Sequence, residues 1–232
     1  GKDIEMVPSY NIGKIVGSIF QDPQRQFFSS ELEGEIAFGC ENYGFSKFEI
    51  QKRTKDAIHK MRLESIGKIS LDLLSSGEKQ RAAVASVYAM HPEVFVFDEP
   101  TANLDKDGII QMKNILIQLK KAGYTLLIAE HRLSWTEKLA DRYLYMKDGQ
   151  IQHEYSSLEF STMNDLERIS KGLRRIKNRP FTKQIAPPRT DNIAIQGERL
   201  SLKKNKKQIL KNVDIFANEK SVTAITGNNG AG

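Results

Sequence analysis

The stretch "VFVFDEPTANLD", residues 94–105, is the part of this sequence best equipped to do chemistry. Its first residues read as a buried strand, and that strand ends on two adjacent carboxylates, Asp98 and Glu99. Like charges at the tip of an apolar strand repel each other and lose hydration, so a cation is expected opposite them. Mg²⁺ suits the position. Asp98 would hold it directly or through water, leaving Glu99 free to polarise an attacking water. An ordinary strand end with two exposed acids has the same composition, so the neighbouring residues must decide.

A second candidate closes the chain. The segment "GNNGAG" has the pattern Gly-x-x-x-x-Gly and follows the apolar run "TAIT". Backbone N–H groups in such a loop cradle phosphates at a helix N-terminus. On this reading Gly227, Asn228, Asn229, Gly230, Ala231 and Gly232 begin a phosphate-binding loop, whose Lys and Ser/Thr are not in this sequence. A glycine-rich hairpin turn is the other account of the same six residues.

Several elements must position these groups. Strands are expected at 13–20, 94–98 and 124–131, with a hairpin over 142–155 turning at Asp148-Gly149. Ser46 and Glu49 form a capping-box pattern, opening a helix to about Leu63 with Ile50, Ala57, Ile58 and Met61 as apolar positions. A second helix runs through Ala83, Val87 and Met90 and stops before Pro92. A third spans Asp105 to Ala122 and ends at Gly123. Ser134 and Glu137 repeat the capping-box pattern and predict another short helix. Strands alternating with helices argue an α/β fold with a mainly parallel sheet. A short helix and then a linker occupy 162–192. From Ile193 the runs "IAIQGERLSL", "QILKNVDIFA" and "SVTAITG" predict three strands.

Composition narrows the function classes. The chain has 232 residues, 39% hydrophobic and 28% charged, which is ordinary for a globular protein. The single Cys40 excludes a disulfide framework and a cysteine-based zinc site. There is no apolar run long enough for a membrane span and no export-signal pattern. The net charge of +6 is uneven: residues 168–211 hold 14 Lys/Arg against Asp191 and Glu198, leaving the rest of the chain acidic. Nucleic acid or anionic headgroups would suit such a segment, but Pro180, Pro187, Pro188 and few aromatics fit a solvated linker better.

The motifs around 94–105 resemble the nucleotide-binding domains of ABC ATPases, in order and spacing and over nearly the whole chain. Gln21 in "FQDP" is similar to the Q-loop glutamine of that family, which contacts the nucleotide's metal and senses its state. "LSSGEKQR", residues 74–81, resembles the signature that meets the γ-phosphate held by an opposing domain, through Ser75, Ser76, Gly77 and Glu78. "VFVFDEP" is similar to Walker B, "TANLD" with Asp105 to the D-loop, and His131 in "AEHR" to the switch histidine on the γ-phosphate. "FQDPQRQFFSSELEGEIAFGCENYG" further resembles the cobalt-type and energy-coupling-factor branch, which serves vitamin and metal-ion importers. A free helix N-terminus at Ser75–Gly77 suits an anion on physical grounds as well.

The resemblance implies a P-loop α/β domain over 1–161 lacking its own phosphate loop, with a helical subdomain at about 33–91. A basic linker over 162–192 and the antiparallel start of a second such domain over 193–232 would follow. It implies ATP and Mg²⁺ as cofactors, with Asp98 and Gln21 toward the metal and Glu99 and His131 as the catalytic pair. Its partners would be a second ABC ATPase domain, closed head to tail by ATP, and transmembrane transporter subunits. The location would be cytoplasmic, on the inner face of the membrane. Nucleic acid is not favoured; the rival class is a tandem ABC protein acting in translation, with the linker on RNA. Three features depart from the family. Ser76 and Glu78 replace its usual glycine and glutamine, and Lys203 and Lys204 stand where an adenine-stacking aromatic is usual. Gly1–Asp3 resemble the stretch some thirty residues past a phosphate loop. The chain alone is therefore expected to hydrolyse ATP negligibly.

Overall fold

The computed structural model describes residues 4–66, 69–173, 192–204 and 207–225. The chain divides into two compact units, Gly1–Lys177 and Asn178–Gly232. In the first, α1 (Ser9–Ile15) leads directly into β1 (Val16–Ile19). The strand expected over 13–20 is therefore shorter, because its first residues belong to a helix. Next come α2 (Leu32–Asn42), α3 (Lys47–Lys60), α4 (Ser76–Ala89), β2 (Val94–Asp98), α5 (Lys106–Lys121) and β3 (Thr125–Ala129).

The three strands form a parallel sheet in the order β1-β2-β3. Ile19 pairs with Phe97, and Asp98 pairs with Ala129. Parallel neighbours need long crossovers, which α2–α4 and α5 supply. Phe95 and Phe97 are fully buried and lie 6.1 Å apart with nearly parallel rings. Burying each contributes about 2–3 kcal/mol. Helix α4 is buried all round, from Ala82 to Ala89, the pattern of a helix inside a core. It lies close on β1: a Cβ added at Gly17 would sit 2.2 Å from Val87 Cγ1. Only glycine fits there.

Helix α5 buries Met112, Ile115, Leu116 and Leu119 at helical spacing and turns its lysines outward. It ends at Gly123, whose φ of +94° suits a helix stop. Helix α2 buries Leu32, Ile36 and Cys40, one turn apart. The capping box expected at Ser46 is half formed. Ser46 Oγ accepts the Glu49 N–H, but the Glu49 carboxylate takes Arg53 Nε at 2.7 Å instead.

The helix expected after Ser134 is not there. Leu133–Trp135 form a 3₁₀ turn preceded by Arg132, with no side-chain cap. Trp135 is drawn inward, its indole bonded to Glu130, and this buried contact outweighs the capping pattern. The hairpin is β4 (Arg142–Lys147) and β5 (Gln150–Ser156), turning at Asp148 and Gly149, both at positive φ as a two-residue turn requires. Two short helices follow, α6 (Ser157–Thr162) and α7 (Asp165–Ser170). Arg168, the first cation of the basic segment, is 2% exposed, with its guanidinium on the carbonyls of Phe160 and Met163.

The second unit contains an antiparallel pair, β6 (Ile193–Lys204) and β7 (Lys207–Asn218). The third expected strand is not found over residues 221–225, which form no regular element. Lys203 and Lys204 lie at the turn end of β6, paired with Gln208 and Lys207.

Candidate active site

Parallel strands present their C-terminal ends at one edge, where α/β folds place their ligands. Gln21 follows β1 by two residues, Glu99 follows β2 directly, and His131 follows β3 by two. The structure brings these three together. Gln21 Nε2 donates to Glu99 Oε2 at 3.0 Å, and His131 Nδ1 lies 3.0 Å from Glu99 Oε1. Both oxygens of the central carboxylate are thus engaged, by groups 78 residues earlier and 32 residues later in the chain. The arrangement fixes the imidazole proton on Nδ1 and leaves Nε2 as the other ring nitrogen for a ligand.

Glu99 takes a φ of +41°, in the left-handed region that non-glycine residues avoid at a cost of about 1 kcal/mol. Its N–H still bonds Ala129 O at 2.9 Å, and its carbonyl accepts the Ala102 N–H at 3.1 Å. The chain thus leaves the strand in one residue, and the Asp98–Glu99 pair is not a continuing strand with two like charges in register. Backbone strain of this kind is held in place by its surroundings and marks positions with a job.

Asp98 ends β2 and is exposed. Among the described residues no hydrogen bond or ion pair reaches its carboxylate, and no cluster of three His, Cys, Asp or Glu side chains is placed to hold a metal. A cation here would rest on the Asp98 carboxylate, plus water and phosphate oxygens. That hard, sparse donor set fits Mg²⁺ rather than a caged metal.

The other predicted residues within the described chain sit at helix N-termini. Ser75 caps α4, and the cap is reciprocal. Ser75 Oγ accepts the Glu78 N–H at 3.4 Å, while Glu78 Oε2 takes the Ser75 N–H at 2.8 Å and its hydroxyl at 2.6 Å. Glu78 therefore bends back on its own helix, and these bonds from Ser75 hold its carboxyl below the usual carboxylate range. Ser76 is exposed and Gly77 half-buried at the first turn. Asp105 caps α5, its Oδ1 accepting the Gly108 N–H at 2.8 Å. Gly227 to Gly232 lie outside the described residues, as do Gly1–Asp3.

Sequence reasoning missed Glu130. Its side chain is 2% exposed and accepts four donors from the loop after β2 and the turn after β3. The signal was present: a carboxylate directly after the apolar run "LLIA" obeys the rule that singled out Asp98 and Glu99. Glu35 was missed as well. It is 3% exposed and accepts the N–H groups of Phe28 and Ser29, which fixes the loop leaving Gln21.

Residues 1–102 match the ABC transporter domain family. A putative ABC transporter ATP-binding protein of Treponema denticola is 35% identical over all of this chain and 48% of its own length. The energy-coupling factor transporter ATP-binding protein EcfA of Methanocaldococcus jannaschii is 36% identical over 80% of this chain and 65% of its own. The structure of cbiO1 from Clostridium perfringens, described as part of the ABC transporter complex cbiONQ, superposes with a TM-score of 0.62. It is 31% identical and aligns with 70% of this chain and 64% of that one. The chain spans about half the length of the Treponema relative. With its parallel sheet, strand-end cluster and capped α4, the chain belongs to the ABC transporter family of ATP-binding proteins.

Proposed function

We propose that the intact protein binds and hydrolyses ATP to drive an importer of the energy-coupling-factor type. The observation that carries this reading is the contact of Glu99 with both Gln21 and His131 at the ends of three adjacent parallel strands. Glu99 is the group to polarise an attacking water: a carboxylate held in place by two partners, neither of them a fixed permanent cation. His131 would present Nε2 to the γ-phosphate, with its Nδ1 side anchored on Glu99. Gln21, bonded to that carboxylate and leading into the loop held by Glu35, would report nucleotide state toward a transmembrane partner. Asp98 and the Gln21 amide oxygen would hold Mg²⁺, which supplies charge neutralisation between the phosphates.

Ser75 to Glu78 would face the nucleotide of an opposing domain, consistent with their distance in sequence and bonding from the strand-end cluster. Asp105 would sit at that same boundary. Gly227–Gly232 would open the phosphate loop of a second domain in a tandem protein. Closure of two such domains on ATP and reopening after hydrolysis would act on membrane subunits at the cytoplasmic face. Among the described residues no helix is long and apolar enough to cross a membrane, so those subunits would be separate from this segment. The relatives named for energy-coupling factors and the cbiONQ complex support the importer class.

The test is Glu99→Gln in the full-length protein. It keeps shape and hydrogen bonding but removes the base, so hydrolysis should fall by about 10²–10⁴-fold while ATP affinity survives. Unchanged hydrolysis would remove Glu99 from catalysis and leave the strand-end cluster structural.

A further inference from the structure

We propose that Glu130 is the positioning residue of this site, fixing the turn that carries His131 and tying it to the loop after β2. One carboxylate oxygen, Oε1, accepts the backbone N–H groups of His131 at 2.9 Å and Arg132 at 2.8 Å. The other, Oε2, accepts the Thr101 hydroxyl at 2.7 Å and the Trp135 indole N–H at 3.0 Å. Four donors fill the four acceptor positions of a carboxylate. The side chain is 2% exposed, so the bonds act where water does not compete.

The consequences follow from where the donors lie. Two of them are the N–H groups of His131 and its neighbour, so the backbone of the switch turn is set by Glu130 rather than by a helix or strand. The third, Thr101, is fully buried in the segment between Glu99 and Asp105. Arg132 adds a second link, its Nη1 donating to Thr101 O at 3.3 Å. The His131 turn is therefore bonded to Thr101 at two points. Glu130 Oε1 also lies 3.6 Å from His131 Nδ1, the nitrogen that faces Glu99 Oε1, so both carboxylates border the same edge of the ring. A glutamine cannot replace this carboxylate. Its amide nitrogen would face either two backbone N–H groups or an indole N–H, and a buried donor facing donors is strongly unfavourable.

The positioning claim is structural. Its effect on turnover rests on the reading of His131 given above, and the experiment separates the two. The full-length protein labelled with ¹⁵N-histidine is compared with Glu130→Gln and Thr101→Val by the imidazole resonances. Four of its histidines lie in this chain, His59, His91, His131 and His153, and the other three of these report whether the fold around the site is kept. In Glu130→Gln the His131 resonances should shift or broaden while the other three stay in place. Thr101→Val should move them the same way by less. If Glu130→Gln fails to fold, Thr101→Val decides alone. Unmoved His131 signals in a folded variant overturn the proposal.

Turnover supplies the second reading. Hydrolysis by Glu130→Gln should drop about tenfold or more, the scale usual for groups that orient a functional histidine, with ATP affinity kept. Adding Glu130→Gln to His131→Ala should cost nothing further, since one acts through the other. Independent losses would overturn action through His131. If His131→Ala alone hydrolyses at the wild-type rate while Glu130→Gln still moves the His131 resonances, the γ-phosphate reading falls and the positioning role stands.

Discussion

The strand ends and the N-terminus of α4 solve the same problem, holding polar groups at a surface, in opposite ways. Gln21, Glu99 and His131 come from three strands and are held by one another, with Glu130 behind them. Ser75 and Glu78 are three residues apart, and their side chains bond each other within one turn of helix. The first arrangement exists only when the sheet is assembled. The second needs one turn of helix. The strand-end cluster therefore depends on the core, while the α4 cap is a local device that any approaching ligand or domain meets already formed.

Breaking the support under the first region should have the largest effect. Phe97 is fully buried directly before Asp98 and Glu99, and its ring lies against Phe95. Phe97→Ala removes most of a buried aromatic side chain and should destabilise the protein by about 3–5 kcal/mol. Urea unfolding should show the loss, with Ser75 and its cap still formed in whatever fraction remains folded. A loss under about 1 kcal/mol would mean that β2 is not the anchor described here.

The two regions were also unequally legible in the sequence. Strand β2 was placed at 94–98 because an apolar run is bounded by Pro92 on one side and the two carboxylates on the other. Helix α5 was readable from its cap, its apolar spacing and Gly123. Helix α2 was not, since Gly34 and Gly39 dilute a pattern that Leu32, Ile36 and Cys40 do carry. At 134–137 a plausible capping box lost to the pull of Trp135 toward Glu130. The Glu130 carboxylate that takes the indole also takes the hydroxyl of Thr101, some thirty residues earlier, and no local window contains that partner. The pairing of Gln21 with Glu99 is hidden for the same reason: strand order and register, not spacing, bring them within 3.0 Å. At Ser75–Gly77 the expected helix N-terminus is there, and the pattern S-x-x-E, which the sequence reading left unused, closes it as a reciprocal cap.

A smaller effect tests the local device. Ser75→Ala removes the acceptor for the Glu78 N–H while the Glu78 carboxylate keeps the residue 75 N–H. Loss of such a cap should cost about 1 kcal/mol. For a chain of this size that is roughly 2–4 °C in melting temperature. The geometry at Glu99 should not change, because no bond connects the two regions among the described residues. A shift of His131 resonances in Ser75→Ala would contradict that independence.

The smallest expected effect is a pH dependence at the same cap. The Ser75 hydroxyl and backbone N–H hold the Glu78 carboxyl below its ordinary value of 4.5, because they bond its charged form at a helix N-terminus. A carboxylate with a depressed folded-state pKa adds stability that is present above the unfolded pKa. That stability is lost as the pH falls through the folded one. Glu78→Gln keeps a side chain able to complete a capping box but carries no charge at any pH. Wild type should therefore be the more stable of the two at pH 7, by a few tenths of a kcal/mol, as is usual for an exposed charge at a helix end. The gap should begin to close near pH 4.5 and vanish below the folded pKa. Urea midpoints of the two proteins, measured from pH 7 down to the edge of acid unfolding, read this directly. A gap that is constant with pH would mean that shape rather than charge holds the cap. A gap that widens on acidification would reverse the sign and place the Glu78 carboxylate in an environment that disfavours its charge.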